Sequence, residues 1–234
     1  MRFLRTAFLS TTLAFAPLAM ADTVSQDASA SASDESGFVW TPQDGDVISF
    51  NVLRKGKPFG THTVSFSGDA DGTLQARSLV ELTAKFGPIT VFQYDLDTTE
   101  TWQDGALVAL EGTGDNDGKE GYVSAKLEGD VLKVKGSAYT GNAPADITPS
   151  SHWNIDEVRS DQILSTETGA LLDVKVTKIG NETVSVGNQS VQADHYRLVS
   201  DLTVDLWYDD QGRWVKLSFE TRGQQIDYIL NELY

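Results

Sequence analysis

The chain carries three imidazoles, His62, His152 and His195. Such groups can act as proton-transfer bases beside a carboxylate or, where they converge, as ligands of a divalent metal. The three lie far apart in sequence, and the chain has neither a His-Glu-x-x-His segment nor a Gly-x-Ser-x-Gly elbow. No residue is therefore assigned a catalytic or metal-binding role, and no cofactor is expected. Gly114-Asp115-Asn116-Asp117-Gly118 resembles half of a calcium loop, but the frame fails: with Gly118 at the sixth position, Thr113 falls at the first ligand position and Ser124 at the bidentate acid.

Spacing by twos is more informative. It groups His62 with Val64 and Phe66, and Glu100 with Tyr94, Leu96 and Trp102. It also groups His195 and Arg197 with Val191, Ala193 and Val199, and it sets Arg54 after Ile48, Phe50 and Val52. Residues two apart on a strand share a face. If these faces enclose one interior, that interior holds charge, which must pair, reach a water-filled mouth or meet a ligand. The candidate ligand site is thus a pocket lined by Phe66, Tyr94 and Trp102, with His62, Glu100, His195 and Arg197 at one end. The other placement puts Arg54, Glu100 and Arg197 at strand ends, where a bulge turns them outward.

Strands must position these groups. From Phe38-Val39-Trp40 onward the chain reads strand, turn, strand, with tight hairpins expected at Asp104-Gly105, Asp117-Gly118 and Gly129-Asp130. Asn154 followed by Glu157 reads as a capped helix start, so one short helix is expected near 155–164, inside a long connection over 141–169. About a dozen antiparallel strands must close or layer, since an open sheet leaves two raw edges and a bare apolar face. The expected fold is all-β: a single antiparallel barrel, half-barrel or β-roll over 38–234, with a two-sheet sandwich as the alternative.

Ahead of this domain, Arg2 and Arg5, an apolar run and Ala19-Met20-Ala21 form a Sec-type signal peptide over 1–21, with the cut expected after Ala21. Residues 22–37 are Ser, Ala and acid with Val24 as the one large apolar residue, and read as a disordered leader. The expected location is the periplasm or the medium. The chain has no cysteine, so a packed core rather than disulfides must hold it. Losing Arg2 and Arg5 with the signal takes the formal charge from −16 to −18, leaving 16 basic against 34 acidic side chains. That balance argues against nucleic acid, whose affinity comes from lysine and arginine. No segment past the signal is apolar for long enough to span a bilayer as a helix.

The chain resembles a family of exported bacterial β-proteins classed as a domain of unknown function. The resemblance rests on Phe50-x-Val52 with Gly56, Gly60 and His62; on Tyr94 and Glu100-x-Trp102-x-Asp104-Gly105-x-Leu107; on Trp153-Asn154; and on Leu206-Trp207-Tyr208-Asp209-Asp210-x-Gly212-x-Trp214-Val215. The last run is the most specific, and it also looks distantly like a second uncharacterised exported β-family. The resemblance implies compartment and fold and brings no activity. The function expected is non-enzymatic binding of a small amphiphile or an envelope partner. The alternatives are a hydrolase or lyase using a buried His/Glu cluster, and a structural interaction module.

Overall fold

The computed structural model describes residues 39–234. The signal peptide and the acidic leader lie outside the described residues. Strands β1 (Val47–Arg54), β2 (Lys57–Gly68), β3 (Thr73–Phe86), β4 (Ile89–Gln103), β5 (Ala106–Asn116), β6 (Lys119–Glu128), β7 (Val131–Gly136) and β8 (Thr140–Pro144) form an antiparallel meander. A connection follows, with β9 (Thr148–Pro149), a 3-10 helix (Ile155–Arg159), β10 (Gln162–Leu164) and β11 (Leu171–Asp173). A second meander, β12 (Lys175–Val186), β13 (Gln189–Val199), β14 (Thr203–Asp209), β15 (Trp214–Thr221) and β16 (Gln224–Leu230), completes the chain. Strand β16 pairs antiparallel with β1, so the two meanders form one thirteen-stranded sheet with β12 and β8 as unjoined edges. This is an open roll rather than a two-sheet sandwich. The connection contributes a separate three-stranded sheet, in which β9 and β10 run parallel.

Turn chemistry explains the hairpins. Lys55-Gly56, Asp104-Gly105, Asp117-Gly118 and Arg222-Gly223 each place both residues at positive φ, the backbone that two-residue hairpin turns require and that Gly adopts without a Cβ clash. The helix is shorter than the expected 155–164. It starts as read, with Asn154 Oδ1 accepting from the Asp156 N–H at 3.0 Å. It ends at Arg159 because Gln162–Leu164 instead pairs between β9 and β11. Glu157 does not close a capping box; its carboxylate turns to His152.

The connection packs on the concave face, and glycine makes that fit. A Cβ at Gly112 would lie 2.6 Å from the Thr166 carbonyl oxygen and one at Gly121 2.8 Å from that of Glu167, while at Gly136 it would overlap that of Thr168. Three neighbouring strands thus offer bare backbone where the Thr166–Thr168 backbone lies. Farther along the roll, Trp153 is edge-on to Phe66 and Trp102, with ring centroids 5.2 and 5.5 Å away.

Candidate functional site

Strand alternation places His62 and Glu100 inside, buried with Phe66, Val64, Val80 and Leu96. Glu100 Oε2 accepts from the indole N–H groups of Trp102 (2.8 Å) and Trp153 (3.1 Å). The Ser151 hydroxyl lies beside the same carboxylate without good alignment, and Oε1 has no hydrogen-bond partner. Burial is the dominant influence and pushes this carboxyl up to about 7, against the three donors and with help from the nearby Glu157. His62 stands edge-on to Trp214 and Tyr228, with centroids 5.3 and 5.7 Å away. Burial first, then His152, brings its pKa down to about 3, so at neutral pH it is an uncharged core ring. Ser78 and Thr98 continue the same inner strip, and neither hydroxyl is hydrogen-bonded.

His195 and Arg197 are on the other face, which overturns their expected inward position. Arg197 pairs with Asp205 through Nε at 2.8 Å and Nη2 at 2.9 Å. The His195 ring stacks on Trp207 at 4.2 Å, with Nδ1 3.2 Å from Glu182 and Nε2 3.2 Å from Asp205. Trp207 in turn donates to Glu182 at 2.6 Å and carries the Lys216 ammonium over its ring at 4.0 Å. Ala193, His195 and Arg197 do share one face of β13, as their spacing implies, but that face is the outer one. Val184, Val186 and Ala193 are buried on the outer side, where Gly187 at the hairpin tip reaches Asn231 beyond β16. The inner side of β13 is marked instead by Tyr196 and Leu198.

The expected single pocket is also divided. Trp153 and its neighbours fill the middle of the roll and leave a cavity at each end. One, of about 610 Å³, is lined by Tyr94 but not by Phe66, Trp102, His62 or Glu100. The other, of about 590 Å³, is more open and reaches Trp102 and Trp153 from the opposite end. Phe66 is buried between them, against Trp40 and Trp153.

The first cavity has apolar walls, including Phe59, Leu82, Phe92, Leu217 and Ile226. Polar groups stand at defined points. Tyr94 donates its hydroxyl to Glu167 at 3.1 Å, and burial with this carboxylate drives the Tyr94 pKa well upward. His152 lines the cavity with its Nδ1 3.0 and 3.1 Å from the two oxygens of the buried Glu157. Arg54 and Arg222 also line it, from the end of β1 and from the β15–β16 turn. Arg54 lies 5.4 Å over the Phe59 ring. Among the described residues neither guanidinium has an ion-pair partner. Sequence reasoning placed Arg54 on an inward face but missed Arg222, His152 and Glu167, which belong to a turn and to the connection and have no strand parity to count.

The model of the domain of unknown function DUF6134 matches residues 50–231. The chain belongs to this family. The most specific run of the family resemblance now has a structural account. Asp209 accepts from the backbone N–H groups of Gln211 and Arg213 and pairs with the Arg213 side chain at 2.6 Å, which fixes the turn. Tyr208 donates to the His152 carbonyl at 2.8 Å and so holds a residue with φ of 66°. Trp214 packs against Phe50 and His62. Among solved structures, the fold is similar to a beta-barrel-like protein of the domain of unknown function DUF1849 from Brucella abortus. The TM-score is 0.56 at 11% identity, over 80% of this chain and 95% of that one. No curated protein matches the sequence. Membership of DUF6134 therefore supports the fold and leaves the chemistry to the site.

Proposed function

We propose that this DUF6134 protein is an exported, non-enzymatic carrier of a small amphiphile with an anionic head. The carrying observation is the end cavity, whose apolar walls meet two guanidinium groups that have no ion-pair partner among the described residues, although Asp117 and Glu167 also line it. Its volume falls within the roughly 300–1,000 Å³ of small-molecule sites. An alkyl chain would take the place of water against Phe59, Phe92 and Leu217, and a carboxylate or phosphate head would sit between Arg54 and Arg222. Arginine suits this role because its planar fork matches such oxyanions. A hydrolase or lyase built on His62, Glu100 and His195 draws no support from the geometry, since His195 is on the opposite face and the other two sit outside the cavity.

Isothermal titration with dodecanoate and with dodecanol tests the reading. Dodecanoate should bind more tightly by about tenfold or more, the size of a charge-assisted hydrogen bond. Arg54→Ala, at a half-buried position, should remove that preference while sparing the fold. Failure of both probes to bind, or equal binding of the two, would sink the proposal.

A further inference from the structure

The hairpin turns distribute the charges of the molecule unevenly. Antiparallel strands bring the β1–β2, β3–β4 and β15–β16 turns to the end that holds the Arg-lined cavity, and the β2–β3, β4–β5 and β6–β7 turns to the other. The cavity end carries Arg54, Lys55, Lys57, Lys85 and Arg222, none of them in an ion pair among the described residues. Its β5–β6 hairpin is acidic, with Asp115, Asp117 and Glu120 around Lys119. The far end carries Asp44, Asp69, Asp71, Asp104 and Asp130, all exposed. The unpaired cations thus gather on the β15–β16, β1–β2 and β3–β4 turns, with Glu220 near them, while Asp201 stands on the β13–β14 turn across the cavity.

The same end bears an apolar finger. Strand β2 leaves β3 at the Gly60–Leu82 pair, and β5 leaves β4 at the Tyr94–Asn116 pair, yet β3 and β4 continue together to Phe86–Ile89. About four residues per strand overhang the sheet, or roughly 13 Å. Phe92 packs on Phe59 at its base, with centroids 5.8 Å apart. At its tip Phe86 is 79% exposed, Ile89 61% and Val91 54%, and Leu202 lies exposed on the far lip of the cavity. Exposed apolar side chains flanked by unpaired cations fit the boundary between headgroups and acyl chains of a bilayer.

From this we infer that the cavity end docks on an anionic lipid surface, with the β3–β4 tip in the acyl boundary and the lysines and arginines on the headgroups. The overall negative charge does not prevent this. The turns that hold Asp69, Asp71, Asp104 and Asp130 lie at the opposite ends of strands 8 to 15 residues long, several screening lengths away at about 0.1 M salt. Of the acids at the cavity end, Asp117 and Asp201 are on turns other than those that carry Lys55, Lys57, Lys85 and Arg222. Tip-to-tip pairing of two copies is disfavoured, because it sets Lys55, Lys57 and Arg222 against the same groups. The inference rests on surface charge and exposure, and it stands or falls separately from the occupant of the cavity.

Co-sedimentation of the mature protein with vesicles tests it. One set is phosphatidylcholine alone and the other contains about one-third phosphatidylglycerol, each at about 0.1 M and about 1 M salt, where the screening length falls from about 10 to 3 Å. Binding is expected to the anionic vesicles in low salt. It should weaken by about tenfold or more in high salt or on neutral vesicles. Lys55→Gln and Lys57→Gln should each weaken it about fivefold, at about 1 kcal/mol per charge near the surface. Phe86→Asp with Ile89→Asp should abolish it, while circular dichroism and dodecanoate titration of this variant stay unchanged. No binding to anionic vesicles, equal binding to both vesicle types, or indifference to the tip substitutions would overturn the inference. So would a dimer lost in the tip variant without vesicle binding.

Discussion

Glu100 inside the roll and Asp205 outside it are both carboxylates on strands, each held by neighbours that the sequence supplies. Glu100 has lost its water and leans on two indoles, with one oxygen left unpaired. Asp205 keeps partial contact with solvent and receives both arms of a guanidinium. Burial and hydrogen bonds therefore pull the Glu100 pKa in opposite directions and burial wins, whereas at Asp205 the Arg197 and His195 partners outweigh burial and hold the carboxyl below its ordinary range. The difference teaches that a charge beside aromatic residues is not in itself a site. Its environment depends on which face of the sheet it points from and on what packs against that face.

The largest expected effect comes from uncovering the inner group. Trp153→Ala removes the ring between Phe66 and Trp102 together with one of the two indole donors to Glu100. Truncation of a buried tryptophan costs about 3–5 kcal/mol. Urea unfolding should show a loss of that size, while a loss below about 1 kcal/mol would mean that the connection does not hold the centre together.

A second effect concerns pH, and it hides in the native protein because two groups oppose each other. The Glu100 pKa rises from 4.5 in the unfolded chain to about 7 in the fold. Between these values the folded state holds a proton that the unfolded state has lost, so stability falls as pH rises. The His62 pKa drops from 6.5 to about 3. Across that range the unfolded state holds the extra proton, so stability falls as pH drops. Over the shared window, pH 4.5 to 6.5, each group contributes up to about 1.4 kcal/mol per pH unit with opposite sign, and the two nearly cancel. Glu100→Gln should therefore gain about 3 kcal/mol relative to the native protein on going from the lower to the upper limit. His62→Phe should lose about as much, and the double variant should again be flat. Unfolding curves at the two limits decide it: single variants that track the native protein would show that neither group is dry.

Much of the fold was legible in the sequence, and the limit of that legibility is physical. Period-two alternation and Gly-containing turns read out β1 to β7 because each residue's face depends on its own strand alone. The inward positions of His62 and Glu100 followed from the same count. His195 went wrong because β13 carries apolar residues on both faces, Leu198 inside and Ala193 outside, and parity cannot say which is which. The division of the pocket was hidden for a different reason. Trp153, His152 and Glu167 lie in a connection without strand periodicity, and the glycines that receive it, Gly112, Gly121 and Gly136, look in sequence like weak strand positions rather than a seat for backbone.

The smallest expected effect completes the comparison. Arg197 is 46% exposed at its side chain, and the pair with Asp205 lies at the water boundary. Exposed ion pairs gain little, since the same charges are well solvated when apart and ordering two side chains opposes their attraction. Arg197→Ala should leave the midpoint of thermal unfolding within measurement error, and it should leave dodecanoate binding at the end cavity unchanged. Had Arg197 faced inward as its alternation suggested, the same substitution would strand a buried carboxylate and destabilise the fold strongly. One thermal scan therefore separates the two faces: a large drop in the midpoint would return Arg197 to the interior and undo the assignment of β13, whereas an unchanged midpoint leaves the inner polar strip to His62, Ser78, Thr98 and Glu100.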